Sequence, residues 1–195
     1  MEQVNWGTFA LIVIAALVVI AGLVWIITAR RLDRLHRTVI QSRLTLNEAL
    51  AHRAATAADF AACGVLDVAG AILLADAAQV ALGQTHAPLS LDGLEDGPGH
   101  KRQRRDNGED RSTTESNLSR TLRLVLDGVE HEEMDPEQQK RLDLLQESRE
   151  DVKLSRRFHN AFVDQARRLR TNWVVRLGHM AGGAPMPQPV DMDDE

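Results

Sequence analysis

The stretch FALIVIAALVVIAGLVWIITARRLDRLHR, residues 9–37, decides how the rest of the chain is read. Residues 9–28 carry no charge, and about 20 helical residues rising 1.5 Å each cross a hydrocarbon layer of roughly 30 Å. Trp6 and Trp25 lie near the two ends, where indole rings favour the headgroup region. A secretory leader would instead show a positive start, an apolar run of about 7–15 residues and a small-residue cleavage site. Here Glu2 is the only charge ahead of a longer run, and ITARRLDRLHR comes next. The sequence therefore predicts an uncleaved anchor, with the lipid bilayer as first partner. Arg30, Arg31, Arg34 and Arg37 follow the span and no Lys or Arg precedes it. That asymmetry predicts a single-pass cell-membrane protein with residues 1–8 as an extracytoplasmic stub and the C-terminal domain in the cytoplasm.

Composition agrees with one helical domain behind this anchor. Among 195 residues there is no Tyr and only four Phe, while Ala, Leu and Arg, which carry the lowest helical cost, are frequent. A net charge of −5 argues against a specific nucleic-acid binder, which would be basic. The single cysteine, Cys63, excludes an internal disulfide and a paired-Cys zinc site, and fits a reducing compartment.

The expected fold is all-α, the membrane helix continuing into a cytoplasmic antiparallel helical bundle. Residues 29–84 supply a stalk and a second bundle helix. The stalk carries Leu32, Leu35, Val39, Leu46 and Leu50 at spacings of three, four or seven, one apolar stripe. The second helix is expected over 57–82, with Val65, Leu66, Ile72, Leu73 and Val80 available for burial. Asp59, Asp67 and Asp76 argue against a second span there, since a central carboxylate costs ~2.5–3.5 kcal/mol on insertion.

Residues 85–116 are dense in Gly, Pro, Ser and charge and read as a flexible polar loop, either a switch or a linker. Within it KRQRR, 101–105, has the charge to touch nucleic acid or anionic lipid, but DNGED follows at once, which favours a solvated loop. Residues 117–180 return to helices. Leu118, Leu122, Val125 and Leu126 mark one face, and Asp135, Pro136 and Gln138 form a helix start with a capping box. From there the helix is expected to run unbroken to about Leu177, with Leu145, Val152, Phe158, Phe162, Leu169 and Trp173 as a stripe of coiled-coil-like spacing. The proposed bundle core is thus Leu32, Leu35, Val39, Leu46, Val152, Phe158, Phe162, Leu169 and Trp173. The tail, 181–195, carries Pro and acid and is expected to be extended and solvated.

Signatures of chemistry are missing. HEEM, 131–134, lacks the second His of a zinc helix. GLEDGPGH, 93–100, fits neither a dinucleotide nor a P-loop pattern. His159 and Cys63 read as packed residues rather than as a base or a nucleophile. Asp191, Asp193, Asp194 and Glu195 read as a solvated acidic end rather than a cation site. No catalytic, cofactor-binding or metal-ligating residue is assigned, and no cofactor.

One segment points to relatives. LSRRFHNAFVDQARRLRTN, 154–172, resembles the signature of the LemA family of bacterial membrane proteins through Arg156, Arg157, Phe158, Asn160, Val163 and Asn172, with His159 where Tyr is commoner. The stalk is similar to the family's first helix at Leu32, Leu35, Glu48, Ala49 and Arg53. An IPNLV-type sequence is replaced by ATAADFAA, and the long polar loop and the HAPLP-like terminus, here GGAPMPQPVDMDDE, suggest a divergent, actinobacterial-type branch. The resemblance implies long antiparallel helices and carries no enzymatic activity or catalytic residue. The function expected is therefore a non-catalytic interaction or scaffold protein on the cytoplasmic face, binding a protein partner or a second copy. The alternative is a regulatory subunit of a membrane enzyme or protease.

Overall fold

The computed structural model describes residues 6–87, 89, 101–129, 134–178 and 186–194, with the backbone alone for 101–110, 174 and 177. GLEDGPGH, most of 85–100 and His131, Glu132 and Glu133 of HEEM lie outside them. Regular structure among the described residues is entirely helical: α1 (Trp6–Ala61), α2 (Val68–Gly83), α3 (Lys101–Leu126), α4 (Pro136–Arg170) and α5 (Trp173–Leu177).

Helix α1 runs 56 residues without interruption, about 84 Å at the α-helical rise. Residues 6–27 are exposed along their whole length, and this part is long and apolar enough to cross a membrane. Burial begins at Leu35 and continues through Val39, Leu46, Leu50, Ala54, Ala57 and Phe60. One helix thus joins an uncovered apolar half to a packed half.

The chain turns at Gly64, whose φ of +82° lies where a Cβ is unfavourable. Asp67 then caps α2 by accepting the Gly70 N–H at 2.9 Å. The single helix expected over 57–82 is therefore two, because a glycine turn and an Asp cap interrupt an alanine-rich run whose propensity alone favours continuity. This shifts the buried face of α2 to Leu74, Ala78 and Ala81, leaving Ile72, Leu73 and Val80 exposed.

Helices α1 and α4 run antiparallel. Thr56 meets Ser148 at 2.8 Å, and Ser42, earlier on α1, meets His159, later on α4, at 3.0 Å. Between and beyond these polar rungs lie apolar clusters. Phe60 shares one with Leu142 and Leu145, Leu46 and Leu50 one with Val152, and Val39 one with Val163 and Ala166. Helix α4 starts as the sequence predicts. Asp135 accepts the Gln138 N–H at 2.8 Å while Gln138 Oε1 accepts the Asp135 N–H at 3.0 Å.

Of the expected core, Leu35, Val39, Leu46 and Val152 are buried, and Leu32, Phe162 and Leu169 are half-buried. Phe158 (55% exposed) and Trp173 (72%) are not core residues. The buried line of α4 steps through Leu145, Val152, His159 and Ala166, a strict spacing of seven, and Phe158 sits one residue, about 100°, off it. Trp173 follows a break at Thr171 and Asn172, so the long helix stops at Arg170 rather than near Leu177.

Two further expectations are corrected. Helix α3 begins at Lys101, inside the segment assigned to a polar loop, and its Arg111, Glu115 and Ser116 are buried. Of the acidic tail, residues 181–185 and 195 lie outside the described residues, and 186–194 are not solvated as expected, since Val190, Met192 and Asp194 are buried against the helices.

Candidate functional site

Three helices build a slot for the tail. Helix α1 contributes Leu46 and Leu50, and α4 contributes Val152, which together with Leu89 pack on Val190 and Met192. Along the tail, 190, 192 and 194 are buried while 191 is exposed and 193 half-buried, the two-residue alternation of an extended strand. The walls are polar. On α3 the spacing of Ser112, Ser116, Arg120 and Arg123 lines one helix face, and on α4 Arg156 and Asn160 are one turn apart.

These side chains read the tail backbone as well as its charges. Asn160 donates through Nδ2 to the Val190 carbonyl at 2.9 Å and accepts the Val190 N–H at 2.8 Å, taking both peptide groups as a neighbouring strand would. Ser116 Oγ accepts the Asp193 N–H at 3.0 Å, and Ser112 donates to the Asp191 carbonyl. Arg156 grips the buried Asp194 carboxylate in bidentate fashion, Nε at 2.6 Å and Nη2 at 2.7 Å. Arg123 does the same to Asp193 at 2.8 Å twice, with Arg120 Nε at 3.3 Å.

Burying Val190 and Met192 contributes roughly 1.5–3 kcal/mol each and the Asn160 hydrogen bonds about 1 kcal/mol each, while the ion pairs of the partly exposed Asp193 add ~0–1 kcal/mol each.

Beneath the slot lies a buried ionic cluster. Arg53 of α1 donates to Glu115 Oε2 at 2.9 Å, to the Glu115 carbonyl at 3.2 Å and to Ser119 Oγ at 2.8 Å. Arg111, one turn before Glu115, approaches the other carboxylate oxygen at 3.6 Å. Its remaining nitrogens donate to Asn47 Oδ1 at 2.7 Å, to the Thr85 carbonyl at 3.1 Å and to the Ala87 carbonyl. Burial pushes both guanidiniums down and the Glu115 carboxyl up, while their attraction pulls each back. This cluster ties α1, α3 and the turn that follows α2 together, and it supplies the positive background on which an acidic tail settles.

His159 stands in the α1/α4 seam, fully buried. The Ser42 hydroxyl lies 2.9 Å from the Val39 carbonyl and 3.0 Å from His159 Nδ1, so it bridges the two with its single proton. Nε2 is buried without a hydrogen-bond partner. Burial, and secondarily the nearby Arg43 charge, lowers the His159 pKa to about 4. The Ser–His contact lacks a third group to orient it and is closed to a substrate by that burial.

The signature residues therefore separate. Arg156 and Asn160 hold the tail, while His159 and Val163 fill the seam. Arg157, Phe158 and Asn172 are exposed. Sequence reasoning missed Asp193 and Asp194 as ligands, although the alternation V-D-M-D-D is the signal of an extended strand with one buried face. It also missed the charged Arg53–Glu115–Arg111 cluster, whose members lie in different segments. Among the described residues no group of three or more His, Cys, Asp and Glu side chains is placed to hold a metal ion. In comparisons with known proteins, no family model, no curated protein and no solved structure matches the chain.

Proposed function

We propose that this chain is a single-pass membrane protein of LemA-like type whose cytoplasmic helical bundle is a non-catalytic interaction module. The observation that carries the reading is α1 itself. Its residues 6–27 present apolar side chains that no other described residue covers, and the same helix then enters the packed domain. A helix of that length and composition is satisfied by a bilayer, and its continuity holds the domain at the membrane surface. The LemA-like signature supports the module through Arg156 and Asn160, which present a peptide-holding surface rather than a reacting group.

Crosslinking in intact cells followed by affinity capture from detergent extracts tests this. A specific protein recovered in membrane fractions is expected, together with the chain itself resisting extraction by alkaline carbonate. Repeated recovery of the isolated chain, or its release by carbonate, would sink the reading.

A further inference from the structure

We propose that the slot between α1, α3 and α4 is a recognition site for an extended acidic peptide segment of a partner protein. Residues 190–194 of this chain are its built-in competitor. The inference rests on the reading of the chain as an interaction module and names the partner's chemistry: apolar, any, apolar, Asp, Asp, in extended conformation.

Three observations carry it. First, the slot reads a peptide and not charge alone. Asn160 pairs with both the N–H and the carbonyl of Val190, Ser116 takes the Asp193 N–H, and Ser112 donates to the Asp191 carbonyl. A lipid headgroup or a phosphate offers cations a partner but has no amide for Asn160. Second, the apolar floor of Leu46, Leu50 and Val152 is covered by Val190 and Met192 together with Leu89, so a departing tail bares an apolar strip edged by Arg120, Arg123 and Arg156. Such a strip calls for a replacement of the same pattern. Third, the grip on Asp193 is at the solvent-facing edge, where its carboxylate is 30% exposed and ion pairs hold weakly.

The test uses the full-length chain in detergent and a fluorescein-labelled peptide of residues 186–195, MPQPVDMDDE, followed by fluorescence anisotropy. In the D193R/D194R variant the chain's own tail is repelled by Arg120, Arg123 and Arg156, and the peptide is expected to bind about 100-fold more tightly than to the wild type. Adding Arg156→Glu to that variant should remove binding, and a scrambled peptide of equal composition should not bind. Equal affinity of wild type and D193R/D194R, or of native and scrambled peptides, overturns the proposal.

Amide hydrogen exchange on the unmutated chain provides a measurement that no folding defect can blur. The Val190 and Asp193 amides are expected to exchange at least about 10-fold faster than those of Leu46 and Leu50, through release of the tail alone. Exchange of all four at one common rate would make the tail a fixed part of the fold and end the proposal. Neither result bears on whether the module captures a partner in cells, so failure of the slot and failure of the module are separately visible.

Discussion

His159 occupies a place in the α1/α4 seam where the sequence pattern offers Phe158. The seat goes to the histidine because burial on α4 recurs every seven residues, at Leu145, Val152, His159 and Ala166, and Ser42 stands opposite to hydrogen-bond Nδ1. Hydrophobicity ranks Phe above His, but a neighbouring residue lies about 100° around the helix and cannot share the seat. The cost of this choice depends on pH. The folded-state pKa, about 4, lies below the ordinary 6.5 of the unfolded chain, so the neutral ring favours folding. The stability it contributes is complete above about pH 6.5 and is lost as pH falls towards 4. A shift of this size corresponds to roughly 3 kcal/mol. Urea unfolding of wild type and His159→Gln in detergent at pH 7 and pH 4.5 should show the wild type losing about 2–3 kcal/mol more than the variant. Parallel losses would mean that carboxylates elsewhere, and not this ring, set the acid sensitivity. Leu145 and Val152 were legible from apolar spacing, while the placement of His159 depended on a hydroxyl 117 residues away.

At the scale of elements, α3 shows why polar composition misleads. Its run RSTTESNLSR contains a single apolar residue, Leu118, and by hydropathy belongs to a loop. The helix nevertheless packs, because most of its inward polar groups are answered: Arg111 and Glu115 by each other and by Arg53 and Asn47, Ser119 by Arg53, and Ser112 and Ser116 by the tail, with Arg111 Nε left without a hydrogen bond. Apart from the Arg111–Glu115 pair within α3, those partners come from α1 and from the tail, so no local window contains all of the information. What was legible instead is the capping box at Asp135, whose partners are three residues apart. The cluster is also where α1 and α3 are most exposed to mutation. Glu115→Leu keeps the helix former and the volume but leaves Arg53 and Arg111 as buried charges without their carboxylate, a loss of about 3–5 kcal/mol. Thermal unfolding followed by circular dichroism should show a large fall in midpoint, whereas Glu137→Leu, on an exposed position of α4, should leave it near the wild-type value. A Glu115→Leu protein as stable as wild type would mean the carboxylate holds nothing together.

At the scale of the whole molecule, the division of α1 into an uncovered half and a packed half was legible from residues 9–37, because a run of apolar residues and the stripe that follows it are both local patterns. In the proposed membrane-anchored reading, the side of the membrane that the packed half occupies turns on four charges. Arg30, Arg31, Arg34 and Arg37 come within nine residues of the end of the apolar run, and residues 1–8 carry none of their kind. Charge counted this close to a span governs orientation. Of the four, Arg37 also pairs with Asp33 at 2.8 Å on the exposed surface, a contact worth little in water, so it remains available as a topological charge. Moving the asymmetry should therefore move the domain. With Arg30, Arg31 and Arg34 replaced by Gln and three Lys inserted before Trp6, a C-terminal reporter that folds only in the reducing cytoplasm should lose its signal, and one active only outside should gain it. None of the three arginines is buried in the helical packing, so the replacement leaves the fold intact and the readout reports orientation alone. A cytoplasmic signal that persists unchanged after the swap would show that the folded domain, with its buried Arg53–Glu115–Arg111 cluster, resists translocation more strongly than the flanking charge directs it.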